Sequence, residues 1–268
     1  MIILRVLIIK HGSIGDIFMS LDAVKAIQKK YSDITLLSTN SGHRIFEDSD
    51  FNFKKIIDNR RGFFGTCKIL FRIIVQKYDI IIDLQNSKRT SFYLFILKFL
   101  SNSVSNGTSF FASKRYYKIN LDEHVKDGLK NQLSLLDIQV DGVVDESQRK
   151  IKQQVIIVPG SSKEGSHKRW DISNFISLMS YLSSKNISSY VIGGVDETDL
   201  SKLIPENEFI HNLINKSPWK VVKKIALESV VAVSNDTSTM HYISSLNIPI
   251  IALMKNNSYS VTNAPTSK

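Results

Sequence analysis

Two short polar loops hold the residues of this sequence whose types and spacing are best suited to chemistry. One loop is Gly12-Ser13-Ile14-Gly15-Asp16, and the other is Asn235-Asp236-Thr237-Ser238-Thr239-Met240-His241. Each follows an apolar strand pattern, at residues 5–9 or 230–233, and leads into a helical pattern. Because open α/β folds bind ligands at the carboxyl ends of parallel strands, both loops are predicted to lie at such an edge. One edge in each half of the chain predicts two nucleotide-binding-like domains that face each other across a cleft.

The first loop has the composition of an acceptor or phosphate loop, to which we assign Lys10, Gly12, Ser13 and Gly15. The two glycines allow backbone amides to approach an anion or a sugar closely at the start of a helix. Their spacing matches neither the dinucleotide-binding fingerprint nor the P-loop. Asp16 has two interpretations. It could cap the free amides of the helix, or it could act as a general base whose charged form the helix dipole stabilises.

A loop after the predicted strand at 155–158 is suited to a diphosphate. Ser161 and Ser162 could donate hydrogen bonds to phosphate oxygens, and Lys168 or Arg169 could neutralise the negative charge. The alternative is an exposed polar loop whose lysine has no special role. Taken alone, this segment does not decide between the two.

The loop at 235–241 places a carboxylate, a hydroxyl and an imidazole at one helix start. Thr237 and the neighbouring amides suit a phosphate, and His241, one turn later, could donate to a phosphate or a sugar oxygen. A lone histidine in a helix is as often a structural residue. The chain has neither paired carboxylates nor the histidine spacings of zinc enzymes, so we expect no metal held by the protein.

Composition limits the class of protein. The 268 residues are 43% hydrophobic and 22% charged, which is ordinary for a globular chain with a full core. The single cysteine, Cys67, excludes an internal disulfide framework. The chain opens on a predicted strand rather than a signal peptide, and its longest apolar segment, 92–100, is too short to cross a bilayer. We therefore expect a cytoplasmic protein.

The positive charge is concentrated in one segment. Residues 54–118 contain thirteen Lys or Arg and three Asp, so 13 − 3 = +10 equals the net charge of the whole chain. Aromatic residues alternate with these cations. Such a face could meet nucleic acid, an anionic membrane surface or an acidic acceptor. Alternatively, the rings form core and the lysines a solvated face. No nucleic-acid-binding motif accompanies the segment, so we expect no nucleic-acid partner.

Strand and helix patterns alternate throughout the chain, which is typical of βαβ units and parallel sheets. The polar, aperiodic segment 141–154 predicts a boundary between an acceptor-side domain at 1–145 and a nucleotide-sugar-binding domain at 146–268. No helical stripe is found in 255–268. The predicted strands are residues 5–9, 34–38, 54–57, 79–84, 155–158, 190–192, 230–233 and 248–253. The predicted helices are the segment through Ile17, Leu21, Val24 and Ile27, residues 64–75, 91–100 and 121–136, one capped by Asp171, and one with Ser217 as its cap and Pro218 at its first position.

Several short motifs stand in a fixed order over nearly the whole chain. They are residues 5–16 followed by 22–27, then Asp83-Leu84-Gln85, Pro159-Gly160-Ser161-Ser162, Lys168-Arg169-Trp170, Gly193-Gly194 with Glu197, Asn235-Asp236-Thr237, and Met240-His241. In this order they resemble glycosyltransferase family 9, the family of the ADP-heptose:lipopolysaccharide heptosyltransferases. The ordered combination is far more specific than any one motif.

The resemblance implies the GT-B fold, with two Rossmann-like α/β domains whose parallel sheets face each other across a cleft. It implies inverting, metal-independent transfer of a heptose-like sugar from a nucleotide-diphosphate donor, such as an ADP-sugar, to a lipopolysaccharide-type or related glycan. No further cofactor is expected. Asp16 would be the general base, and the enzyme would be cytoplasmic, with peripheral contact to the anionic inner face of the cytoplasmic membrane. The residues implied to hold the donor are Ser161, Ser162, Lys168, Glu197, Asp236, Thr237 and His241.

Two features depart from the family pattern and keep other functions open. Ser238-Thr239 stands where the family usually has Gly-Pro, and residues 254–257 replace a Phe-Gly-Pro-Thr-type loop. One alternative is therefore a non-catalytic relative, shortened at its C-terminus, that binds nucleotide-sugar or glycan without transfer. Another is a nucleotide-sugar epimerase with the GT-B fold, because the fold alone does not determine the reaction.

Overall fold

A computed structural model describes residues 3–59, 62–118, 120, 122–141, 149–161, 163–255 and 258–266. The chain divides into two compact units, residues 1–142 and 143–268. Each unit contains one parallel sheet with helices connecting its strands, so the predicted α/β class is confirmed.

The sheet of the first unit consists, in the described residues, of β1 (Arg5–Ile9), β2 (Asp33–Ser38), β3 (Lys54–Ile57), β4 (Ile80–Asp83), β5 (Val104–Gly107) and β6 (Lys114–Arg115). Their order is β3-β2-β1-β4-β5-β6, and all neighbours are parallel. Ile9 at the end of β1 pairs with Leu37 of β2 and with Asp83 of β4. The loops that follow these three strands therefore leave the sheet at the same edge.

The helices described in this unit are α1 (Ile14–Met19), α2 (Leu21–Lys30), α3 (Asn40–Asp48), α4 (Gly62–Gln76), α5 (Lys88–Leu100) and α6 (Val125–Ser134). The sequence predicts one helix through Ile17 and Ile27, but the structure has two. At Ser20, both the amide and the hydroxyl donate to the carbonyl of Ile17, at 2.9 and 2.8 Å. This tight turn ends α1, and α2 begins at the next residue.

One part of the core of the first unit lies between the sheet and the helices α4 and α5. Both helices contribute to one cluster with side chains of the sheet, so they cover the same face. Val6, Ile8 and Leu36 of the same strands are buried as well. Parallel strands that are buried on both faces read as continuous apolar runs. The cluster contains Leu7, Ile9, Leu37, Ile56 and Ile81 from the sheet, Ile69, Leu70 and Ile73 from α4, and Tyr93, Leu94 and Leu97 from α5.

The sheet of the second unit consists, as far as the structure describes it, of β7 (Gln154–Val158), β8 (Ser188–Val191), β9 (Ile210–Asn212), β10 (Val231–Asn235) and β11 (Ile250–Leu253). The order is β11-β10-β7-β8-β9, again with parallel neighbours. The described helices are α7 (Ile172–Ser184), α8 (Thr198–Ser201), α9 (Trp219–Glu228), α10 (Ser238–Ser245) and α11 (Ser258–Asn263). Short 3-10 turns occupy Lys163–Lys168 and Val195–Glu197.

Two predicted helix starts have different outcomes in this unit. Asp171 caps α7 as predicted, because its carboxylate accepts a hydrogen bond from the Ser173 amide at 2.8 Å. The prediction that Ser217 caps the next helix is wrong. Its hydroxyl donates to the Leu213 carbonyl at 3.0 Å, and Pro218 is the cap residue of α9.

The C-terminal segment also differs from the prediction, since it forms α11 despite having no helical stripe. Tertiary contacts explain the difference. Asn263 is buried, and the amide of Thr266 donates to Ser244 Oγ of α10 at 3.1 Å. In the first unit, the helix predicted at 121–136 is shorter, since α6 begins at Val125, after His124 accepts from the Lys126 amide at 3.2 Å.

Candidate active site

We call residues 10–16 the Asp16 loop; it comprises the connection from β1 to α1, at the carboxyl edge of the first sheet, and the first residues of α1. Gly12 has a φ of +30°, a conformation that favours glycine. A Cβ there would lie 3.2 Å from the Cβ of Asp16 and 3.4 Å from Lys10 Cε, so the loop is folded tightly on itself. Gln85, which follows β4, accepts hydrogen bonds from the amides of His11 and Gly12 at 3.0 and 2.6 Å. The neighbouring strand thereby fixes the loop.

Asp16 lies in the first turn of α1 and is half-buried. Its Oδ2 accepts from the Ser13 amide, and its own amide donates to Ser13 Oγ, both at 3.3 Å. This reciprocal pair is a capping box, in which each side chain satisfies a free amide of the helix start. The structural interpretation of Asp16 is therefore present in the geometry. It does not exclude the chemical one, because the carboxylate remains partly exposed at the sheet edge where ligands bind.

Lys10 lies beneath the loop rather than at its surface. It is buried, and its Nζ donates to the Leu84 carbonyl at 3.1 Å. Burial lowers the pKa of Lys10, while the nearby carboxylates of Asp16 and Asp83 raise it in part. The ammonium group is thus placed as a counter-charge to two carboxylates. In this position it is suited to fixing the charge around Asp16 rather than to meeting a ligand directly.

Asp83 at the end of β4 is fully buried, and its Oδ1 accepts from the amides of Gln85 and Asn86, both at 3.0 Å. Burial raises the pKa of this carboxyl group, and the hydrogen bonds that it accepts oppose that rise. Asp83 therefore shapes the turn that presents Gln85 to the Asp16 loop.

A buried polar cluster beside the Asp16 loop has no counterpart in the sequence motifs. Its centre is Asp58, which follows β3 and is fully buried. The Tyr93 hydroxyl donates to Asp58 Oδ2 at 2.8 Å, and Arg89 Nη2 donates to Oδ1 at 3.2 Å. His11 Nε2 lies 3.0 Å from Asp58 Oδ2. The cluster therefore links α5 to the residue next to Gly12.

In the second unit, two predicted site residues from distant motifs meet. Lys168 ends the 3-10 turn after β7, and Asp236 follows β10. Lys168 Nζ lies 2.8 Å from Asp236 Oδ2, with side chains that are 30% and 8% exposed. Because β7 and β10 are parallel neighbours, their loops leave the same edge of the sheet. This pairing places a cation beside the start of α10, where phosphates bind readily.

The loop after β7 is held by two residues that are not among the implied donor residues, Arg169 and Asn235. Arg169 donates from Nη2 to the Ser161 carbonyl at 2.6 Å and from Nε to Ser161 Oγ at 3.2 Å. Asn235 Nδ2 donates to the Pro159 carbonyl at 2.8 Å, and its Oδ1 accepts from the Trp170 amide at 3.0 Å. Ser161 is buried, whereas Ser162 lies outside the described residues. Arg169 and Asn235 thus position the loop that carries Lys168.

Glu197 is buried against Gly160. Its Oε2 accepts from the Gly194 amide at 2.6 Å, and a Cβ at Gly160 would lie only 2.0 Å from Glu197 Cγ. The close approach therefore needs glycine at position 160. Burial raises the pKa of Glu197, and the Gly194 hydrogen bond and the charge of Arg169 oppose the rise. The carboxylate is fixed at the ends of β7 and β8, where it could accept hydrogen bonds from ligand hydroxyls.

Thr237 and His241 lie on the same helix start. Thr237 is the extended residue that precedes α10, and its side chain makes no capping hydrogen bond. His241 is buried one turn later, and its amide donates to the Thr237 carbonyl at 3.4 Å. The first amides of α10 therefore lie near Lys168 and Asp236. Amides, a cation and a fixed carboxylate at one edge could bind a diphosphate together with a polyol.

Among the residues that the structure describes, no group of three or more His, Cys, Asp or Glu side chains is arranged to hold a metal ion. Every helix in this part of the chain is too short or too polar to cross a bilayer.

Solved structures share this fold over almost the whole chain. The glycosyltransferase family 9 protein from Veillonella parvula is 17% identical, with a TM-score of 0.75 that covers 99% of this chain and 85% of that one. ADP-heptose lipopolysaccharide heptosyltransferase II of E. coli is 16% identical, with a TM-score of 0.73 and coverages of 98% and 88%. E. coli heptosyltransferase WaaC with ADP is 16% identical, with a TM-score of 0.75 and coverages of 97% and 90%.

Sequence comparison adds the family. No curated protein sequence matches the chain. The model of glycosyltransferase family 9 (heptosyltransferase) matches residues 68–268, which includes every implied donor residue but begins after Asp16. Since the match takes in well over half of the sequence, the chain is a glycosyltransferase and belongs to glycosyltransferase family 9.

Proposed function

We propose that the chain transfers a heptose-like sugar from an ADP-type nucleotide donor to a hydroxyl of a lipopolysaccharide-type glycan, with inversion and without a metal. The observation that carries the proposal is the gathering of Lys168, Asp236 and Glu197 at one edge of the second sheet. These three residues come from three separate motifs. A nucleotide-diphosphate ligand would give them a common role.

On the donor side, the second unit would stabilise the departing diphosphate. Lys168 supplies a positive charge, and the free amides at the start of α10 supply donors aligned with the helix dipole. Charge that develops on the leaving group is then met by groups already in place, which is the most effective form of electrostatic catalysis. Glu197 would accept hydrogen bonds from hydroxyls of the nucleotide, and His241 and Thr237 would complete the grip. The structure of E. coli WaaC that shares this fold contains ADP.

On the acceptor side, Asp16 would take the proton from the attacking hydroxyl. The capping contact with Ser13 holds the carboxylate in one orientation, and the buried ammonium of Lys10 lies on the other side of Gly12. A base held in this way acts through position, since the substrate oxygen must come within hydrogen-bonding reach. Gly12, Ser13 and Gly15 would leave space for the acceptor. Attack from the side opposite the leaving group inverts the anomeric carbon.

The lipopolysaccharide-type acceptor is supported by the similarity of fold to the E. coli heptosyltransferase II, which has that acceptor in its name. Such acceptors are anchored in a membrane. The excess of cations in residues 54–118 would favour peripheral contact of this cytoplasmic enzyme with an anionic membrane surface.

Calorimetry with a panel of ADP- and UDP-sugars, followed by a transfer assay, tests the proposal. We expect an ADP-sugar to bind and to be consumed only when an acceptor hydroxyl is present. Binding without turnover would instead identify a non-catalytic relative, for which Ser238-Thr239 provides a reason. Conversion of the donor in the absence of acceptor would identify an epimerase.

A further inference from the structure

The outer surfaces of α4 and α5 carry exposed phenylalanines at helical spacing. Phe64 and Phe71 lie on α4, seven residues apart, and Phe92, Phe95 and Phe99 lie on α5 at intervals of three and four. We call these five residues the phenylalanine face. Their exposure ranges from 37% for Phe95 to 88% for Phe64, and Phe71 and Phe99 are 68% and 71% exposed. Contiguous apolar surface of this kind usually marks a binding site.

The five rings belong to one surface. The inner sides of α4 and α5 pack on the same core cluster and therefore cover the same side of the first sheet. The two outer sides consequently point in the same direction, away from that sheet. The rings also contact one another and their surroundings, since Phe95 lies 5.5 Å from Phe99 and 4.8 Å from Phe111 between ring centroids.

The charge around the phenylalanine face has one sign. Neither α4 nor α5 contains an acidic residue, and Lys68, Arg72, Lys88 and Lys98 are exposed on them. No Asp or Glu occurs from residue 84 to residue 121. A surface that joins exposed aromatic rings to lysine and arginine matches the interface of an anionic bilayer, in which rings reach the acyl boundary and cations meet headgroups.

We propose that the phenylalanine face inserts into the interface of an anionic membrane and attaches the enzyme there. This inference rests on the proposed function, because a membrane-anchored acceptor would be presented at that surface. A second copy of the chain is disfavoured as the occupant, because two such faces would bring like charges together. Attachment by insertion differs from attachment by charge alone, since salt screens charge but does not weaken ring burial.

Vesicle flotation of the full chain, without donor or acceptor, tests this. We expect binding to phosphatidylcholine vesicles that contain phosphatidylglycerol, and a substantial part of it should persist at about 1 M salt, where the Debye length is about 3 Å. The triple variant Phe64→Gln, Phe71→Gln, Phe99→Gln should bind the vesicles at least about tenfold more weakly, both at low salt and at about 1 M salt. Lys68→Gln with Lys98→Gln should weaken binding only at low salt.

Tyr181→Gln provides a matched control, because Tyr181 is an aromatic residue, 62% exposed, on α7 of the second unit. It should bind vesicles like the parent chain, and the thermal unfolding of all variants should be unchanged. In a Phe71→Trp variant, the fluorescence of the added tryptophan should be quenched by lipids brominated in the acyl chain.

Three results would overturn the proposal: unchanged vesicle binding by the triple variant, complete loss of parent binding at high salt, or self-association that the triple variant abolishes without any vesicle binding. Failure of sugar transfer with intact, phenylalanine-dependent vesicle binding would count against the proposed function alone.

Discussion

Lys168 and Asp236 are 68 residues apart in sequence, yet their side chains form a contact of 2.8 Å between Nζ and Oδ2. The contact joins the loop after β7 to the loop after β10, which leave neighbouring parallel strands. Asp236 is nearly buried, so the pair is shielded from salt more than a surface pair would be. Under the proposed function, this contact would make one donor-binding unit out of two motifs that are individually weak.

If the pair acts as a unit, its two members should not contribute independently to donor affinity. Lys168→Gln should weaken ADP-sugar binding about 10- to 100-fold, because a charge-assisted bond to phosphate is lost. Asp236→Asn should have a smaller effect, and the double variant should be no weaker than Lys168→Gln alone. Calorimetry measures all three. Lys202→Gln, which disrupts the exposed pair with Asp199, is the control and should bind normally. Additive losses would show that the two residues act separately.

The contact between Gly160 and Glu197 predicts a sharp difference between two glycines. The methyl group of Gly160→Ala would lie only 2.0 Å from Glu197 Cγ, so the Glu197 side chain must move. We expect donor affinity to fall at least about tenfold, with little change in the fold, because Glu197 can move and the core does not.

Gly194→Ala is the matched comparison for Gly160→Ala. Its Cβ would lie 3.5 Å from Glu197 Oε2, an ordinary contact, and its φ of −96° suits alanine. Donor binding by this variant should stay within about threefold of the parent chain. If Gly160→Ala and Gly194→Ala lose donor affinity equally, displacement of Glu197 does not explain the loss.

Tyr93 predicts a pH dependence of stability. Burial, and then the neighbouring Asp58 carboxylate, raise the pKa of Tyr93 to about 12 from its ordinary value of 10.0. The folded state therefore favours the neutral phenol. Its contribution to the free energy of unfolding is fully present below pH 10 and is lost as the pH rises from 10 through about 12.

Denaturant titrations of Tyr93→Phe test this prediction. At pH 8, the variant should be less stable by about 1–3 kcal/mol, because Asp58 loses a hydrogen-bond donor. Between pH 10 and 12, the parent chain should lose stability more steeply than the variant, so the difference between them narrows. Tyr181→Phe, at an exposed position, should show neither effect. A constant difference at all pH values would contradict the account.

The sequence predicts the regular part of the fold well because parallel strands buried on both sides have continuous apolar runs. Arg5–Ile9, Lys54–Ile57 and the strand at Val231–Asn235 are recognisable in this way. The break at Ser20 is not, because it depends on one side chain turning back to a backbone carbonyl. Helix α11 is not recognisable either, since packing of Asn263 and Thr266 stabilises a segment that has no periodicity of its own.

The candidate site can be predicted only in part from the sequence, for a related reason. The motifs identify Lys168 and Asp236 as candidates, but their contact follows only from the order of the strands. Asp58, Arg89 and Tyr93 belong to no motif, and only the placement of α5 beside the end of β3 joins them. Helical spacing in residues 54–118 favoured burial of several rings. The structure buries Tyr93 and Tyr116 but leaves the phenylalanine face exposed.

The most direct test of the account compares Asp16→Asn with Ser13→Ala in a transfer assay at saturating donor. Asparagine keeps an oxygen that can accept from the Ser13 amide but cannot take a proton, so transfer should fall by about two to four orders of magnitude with donor affinity unchanged. Ser13→Ala loses about 1 kcal/mol of helix capping but keeps the carboxylate, so transfer should fall far less than in Asp16→Asn. If Asp16→Asn transfers sugar at the parent rate, or if both variants lose activity equally, Asp16 is a helix cap and not the base.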